Sequence, residues 1–66
     1  NIEAHYHLGV VELAVGSKQH GRWHLETAVM LADNARKQGI KILPDNQEAA
    51  DRAKEQLDKL QAAKMP

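Results

Sequence analysis

The sequence predicts an all-α fold, an antiparallel helical hairpin followed by a third, capping helix. Three observations carry that expectation. Apolar residues recur at intervals of three and four along three stretches of the chain. Phenylalanine is absent, and Tyr6 and Trp23 are the only aromatic residues apart from the histidines. The core must then be built from Leu, Val, Ile, Met and many alanines, which suits closely packed helices better than a sheet sandwich. Gly16 and Gly39 stand where two of the stretches stop, as left-handed helix ends require. At 66 residues, 42% hydrophobic and 27% charged, the chain reads as one small globular domain. A chain of this size hides only about 60% of the surface its unfolded form exposes, so its independent stability is expected to be marginal.

The first helix is expected from Ile2 to Val15. Ala4, Leu8, Val11 and Val15 form one stripe, and Tyr6, Val10 and Leu13 form a second on another side. Two apolar stripes on one helix call for burial on both flanks. Gly16 ends the helix, and Ser17 can cap the next one after a short turn that reaches Gly21. The second helix is expected from His20 to Gln38, with Leu25, Ala28, Ala32 and Ala35 on its main face and Trp23, Thr27, Met30 and Asn34 beside them. Arg36 and Lys37 suit the carboxyl end of its dipole, and Gly39-Ile40 fits a Schellman close.

Residues 39–46 read as a connector, in which Pro44 biases Leu43 to an extended conformation. Asp45 with Glu48 resembles a capping box and starts the third helix at Gln47, to run to Lys64. Ala50, Ala53, Leu57 and Leu60 make a narrow seam, enough for one partner, and Glu48/Arg52 and Glu55/Lys59 are i,i+4 ion pairs. The third helix therefore reads as a solvent-facing cap.

Composition excludes several classes of function. Without cysteine there are no disulfides, thiolate metal sites, covalent haem attachment or cysteine catalysis. Nine basic residues balance nine acidic ones, so nucleic acid and anionic lipid are not expected partners. The first half carries a net −2, the second a net +2, and all four histidines lie in the first. No apolar run approaches the roughly 18 residues of a membrane span. The chain starts at Asn1 rather than methionine, so the expectation is a removed leader, as in an exported soluble protein, or a segment of a longer one.

Residues 3–33 resemble one tetratricopeptide repeat. Tyr6 (or His5) takes the early aromatic place, Leu8-Gly9 the Leu-Gly pair and Gly16 the turn. Gly21 and Ala28 take the small positions where the helices cross, and Leu25 the large residue between them. Gly9 and Ala28 would then let two backbones approach, with Leu8 and Leu25 filling the seam. The sequence departs from the family pattern at the close: Asp33 replaces the usual proline, and Pro44 follows eleven residues later, about three helical turns. One and a half repeats is also fewer than the three or so that such arrays need, so one flank should be covered by another copy, a parent protein or a partner.

The resemblance implies a non-catalytic interaction module, an adaptor, assembly factor or small accessory subunit that needs no cofactor. In that family the first helix of each repeat lines the binding surface, which places Tyr6 and Val10 there, with Glu3 and Leu13 beside them. Tyr6 and Val10 stand where a carboxylate clamp would have Lys and Asn, so the expected ligand is a helix face or an extended apolar segment, with packing on an adjacent helix of the same assembly as the equal alternative. Trp23 is expected to anchor the third helix, with an interface hot spot as the alternative.

The histidines supply the competing expectation, a metal- or cofactor-handling helical protein. His20 and His24 are four apart and share a face if the helix already includes His20, a spacing able to hold zinc, copper or nickel. His5 and His7 point to different sides of their helix. No cysteine or closely spaced acid completes a set. Ser17 is the only serine and reads as a cap, no carboxylate pair is spaced for acid–base work, and the glycines make no phosphate cradle. Catalysis is not expected.

Overall fold

A computed structural model describes residues 1–62. Among them the chain folds into three α-helices, α1 (Ile2–Ala14), α2 (Lys18–Lys37) and α3 (Pro44–Ala62). The all-α hairpin with a third helix follows the expected class, and the differences lie at the helix starts and in which faces are covered.

Local chemistry explains the ends. Asn1 caps α1, its side-chain Oδ1 accepting the Ala4 N–H at 3.1 Å. Gly16 closes α1 with φ +91°: its N–H donates to the Leu13 carbonyl and the Ser17 N–H to that of Glu12, the two bonds of a Schellman motif. Gly39, at φ +73°, repeats the motif at the end of α2, where its N–H donates to the Arg36 carbonyl and the Ile40 N–H to that of Ala35. Both glycines sit in the left-handed region that other residues rarely adopt.

The starts came out differently. α2 begins at Lys18, two residues before the expected His20, and Ser17 holds the cap position without a side-chain cap hydrogen bond. α3 begins at Pro44 rather than Gln47, with the Gln47 N–H donating to the Leu43 carbonyl. Proline suits a first helical position, because its fixed φ is helical and the N–H it lacks would have had no partner there. Asp45 therefore lies inside the first turn and caps nothing, although its charge still faces the positive end of the dipole. Ala63 and Lys64, expected to close this helix, lie outside the described residues.

The core is small-residue packing. Leu25, Ala28 and Ala53 are fully buried, Ala32, Ala49 and Ala50 nearly so, and Ile2, Tyr6, Leu13, Val29, Leu57 and Leu60 pack around them. α1 crosses α2 at two facing glycines. A Cβ on Gly9 would lie 2.8 Å from two side-chain atoms of Leu25 and 3.0 Å from the Gly21 carbonyl oxygen. One on Gly21 would meet Leu13 Cγ at 2.8 Å and the Gly9 oxygen at 2.9 Å. The seam is thus filled by Leu13 and Leu25. Leu8, expected there, is 47% exposed, because Gly9 takes the closest approach and Leu8 sits about a quarter-turn around the helix.

α3 contacts both α1 and α2, not one neighbour. Three alanines let it settle deep enough to touch both. Asn46, in its first turn, accepts the Glu3 N–H through Oδ1 at 3.1 Å and ties the starts of α1 and α3 together. The expected ion pairs are present on its outer face, Arg52–Glu48 at 2.6 Å and Lys59–Glu55 at 3.4 Å. Such exposed pairs contribute at most a few tenths of a kcal/mol each.

Candidate functional site

With α3 covering one side of the hairpin, the other side is open. α1 presents Leu8, Val11 and Val15 there, and Val11 and Val15 are 58% and 72% exposed. On α2, Trp23 is 57% exposed. Trp23 therefore does not anchor α3. It sits away from the Leu25, Ala28, Val29 and Ala32 side of α2 on which α3 packs. Its ring instead lies edge-on to His24 and His5, with centroids 5.0 and 6.0 Å away.

Beneath this face a polar cluster bridges the two helices. Glu12 is the only charged residue in α1 after its first turn. Its Oε1 lies 3.0 Å from His24 Nε2 and its Oε2 3.9 Å from His20 Nδ1. His24 and Glu12 are largely buried, while the His20 side chain is 81% exposed. On the far side of His24, its Nδ1 lies 3.1 Å from His5 Nδ1, with ring centroids 5.3 Å apart and planes tilted by 30°. His5 and Glu12 share a face because seven residues are close to two helical turns. Burial first, then the α-amino group of Asn1 and then His24, hold the His5 pKa below its ordinary 6.5.

The tautomers follow from the contacts. Glu12 can only accept, so His24 Nε2 carries a hydrogen and donates to it. Between the two Nδ1 atoms there is room for one proton, donated by whichever ring holds it. His20 and His24 do share a face, and they meet on Glu12 rather than on each other. Among the described residues, no group of three or more His, Cys, Asp or Glu side chains is placed to hold a metal ion.

The remaining expected contact residues separate. Glu3 and Tyr6 line a shallow cleft of about 110 Å³ between α1 and α3, together with His7, Asp45, Glu48 and Arg52. Tyr6 and Leu13 also pack on the core, and Leu13 fills the space beside Gly21. Only Val10 of the expected stripe is exposed. The free apolar surface is therefore the Leu8–Val11–Val15 stripe and not the Tyr6–Val10–Leu13 one. Sequence reasoning also missed the bond between His5 and His24 and the part of Glu12. A single charge set among Gly9, Val10, Val11, Leu13 and Ala14 was the available signal, because a buried carboxylate needs a partner from another element.

No family model, curated protein or solved structure matches the chain. Among the described residues no helix is long and apolar enough to cross a membrane.

Proposed function

We propose that the chain is a non-catalytic protein–protein interaction module of tetratricopeptide-like design, which receives an apolar helical surface of a larger protein or of a second copy on the open side of its hairpin. The observation that carries this reading is the row of Leu8, Val11 and Val15 along α1, with Trp23 across from it on α2. Aliphatic side chains exposed in a continuous row gain free energy when another surface removes them from water, at about 25 cal/mol per Å². The Leu8-Gly9 pair, Gly21, Leu25 and Ala28 support the tetratricopeptide-like part, since they stand where that family's pattern would have them. In an array, helices preceding this hairpin would lie on the side opposite α3.

Molar mass measured across concentrations tests self-association. The expected result is a mass that rises above that of one chain and returns to it in Val11→Glu with helix content unchanged. If the chain is monomeric throughout, a photo-crosslinking residue at Val11 should form protein adducts that the same residue at exposed Lys54 does not. A monomer that also gives equal adducts at both positions overturns the proposal.

A further inference from the structure

We propose that Glu12, His24 and His5 form an acid-sensitive clasp between α1 and α2, closed while one proton lies between the two Nδ1 atoms and broken when both imidazoles are protonated. The inference stands on the geometry of the cluster and holds whether or not the open face docks a partner.

The proton count follows from the distances. His24 Nε2–H donates to Glu12 Oε1 across 3.0 Å, which leaves His24 Nδ1 directed at His5 Nδ1, 3.1 Å away. Two arrangements satisfy that contact. Both rings can be neutral, with His5 carrying its hydrogen on Nδ1 and donating to His24. Alternatively His24 can be the imidazolium, donating to Glu12 through Nε2 and to His5 through Nδ1. In either case one hydrogen occupies the gap. A second cannot: two Nδ1–H groups would then face each other with no acceptor between them, and two positive rings would lie 5.3 Å apart with only Glu12 close by. A second hydrogen in the gap therefore breaks the chain of contacts at the His5 end.

The charged surroundings have the same sense. At the start of α1 the α-amino group of the capping Asn1 adds positive charge near His5, and Glu12 of α1 is spent on His24. From α2, His20 reaches the second Glu12 oxygen at 3.9 Å. The charged groups that α3 brings to α1, namely Asp45, Glu48 and Arg52, line the cleft on the Glu3–Tyr6 flank. His5 is therefore the ring that resists its proton in the folded chain, and its pKa lies below 6.5. The unfolded chain binds more protons below that value, so the clasp's contribution to stability is full above about pH 6.5 and is lost as pH falls toward the folded value. Trp23, edge-on to both rings, reports the change.

The test follows Trp23 emission and thermal melting of the full chain from pH 8 to pH 5. The expected result is a fall in the folding equilibrium constant of up to about tenfold per pH unit below 6.5, with a change in Trp23 emission over the same range. His5→Gln should remove both responses, and His7→Gln should leave both. A His5→Gln variant that titrates like the parent overturns the proposal. Should that variant fail to fold, nitrogen-15 spectra of the parent's imidazoles at pH 7.5 decide. One hydrogen across the two Nδ1 atoms of His5 and His24 supports the clasp, and hydrogen on neither overturns it.

Discussion

The two sides of the hairpin use opposite kinds of residue. Toward α3, helices meet through Ala28, Ala32, Ala49, Ala50 and Ala53, and toward each other α1 and α2 meet at Gly9 and Gly21. On the open side stand Leu8, Val11, Val15 and Trp23, among the chain's larger apolar residues. The difference shows what limits a core in a chain this short. Backbones brought close by missing side chains bury surface efficiently, because both walls of the interface are the helices themselves. Large apolar residues fit inward where a missing side chain leaves them room, as Leu25 does against Gly9 and Leu13 against Gly21, and facing outward they stay wet until another molecule covers them.

The largest effect should come from the covered side. Among the described residues Leu25 is the one large side chain that is fully buried, and it seats against Gly9. Leu25→Ala is expected to destabilise by about 2–5 kcal/mol, which for a domain of this size is most of its stability. Urea unfolding checks this: a midpoint within experimental error of the parent would mean that α1 and α2 are not held by this seam.

Gly21→Ala should come next. Alanine is the better helix former by about 1 kcal/mol. Its Cβ would nevertheless meet Leu13 Cγ at 2.8 Å and the Gly9 carbonyl oxygen at 2.9 Å, and backbone oxygen does not move aside as a side chain does. The clash should outweigh the propensity, for a net loss of about 1–3 kcal/mol. Gly39→Ala would be strained by its φ of +73° yet meets no neighbour within 4 Å, so the two variants separate crowding from backbone conformation. A Gly21→Ala protein that melts higher than the parent would show that the helices are not so closely crossed.

Much of this division was legible in the sequence, and the illegible part has a definite cause. Helix ends at Gly16 and Gly39 could be read because a Schellman close is local: a glycine takes the left-handed conformation whatever lies beyond it. Helix starts could not, since Ser17, Pro44 and Asp45 are each acceptable at several first-turn positions and packing chooses among them. The inward face of α1 was the costlier ambiguity. Leu8, Val10, Val11, Leu13 and Val15 surround the helix, so periodicity alone singles out no side. What decided it was Gly9, whose missing side chain admits α2 and turns Leu8 outward. The bond from Asn46 to Glu3 was invisible for a further reason: 43 residues separate its partners, and no local pattern announces it. Asn46→Ala should cost about 1 kcal/mol by removing the acceptor of the Glu3 N–H, and hydrogen exchange at that amide should speed up more than at Ala4, which Asn1 holds.

The smallest effect on folding belongs to the open side, and it sharpens the comparison most. Val11 is 58% exposed and touches no part of the buried cluster, so Val11→Glu should change stability by no more than about 0.5 kcal/mol. The same substitution places a charge at the middle of the Leu8–Val11–Val15 row. Any surface that covers the row would then have to bury that charge, so association should fall by at least tenfold, about 1.4 kcal/mol or more. Tyr6→Ala combined with Leu13→Ala should do the reverse: both side chains pack on Leu25, Ala28 and Ala53, so helix content and melting temperature should fall along with any association. Circular dichroism and molar mass measured on the same samples separate the two responses. If Val11→Glu lost helix content as Tyr6→Ala with Leu13→Ala does, the row would be part of the chain's own core and the hairpin would have no free side. If Val11→Glu kept both its helices and its associations, the row would be exposed and idle.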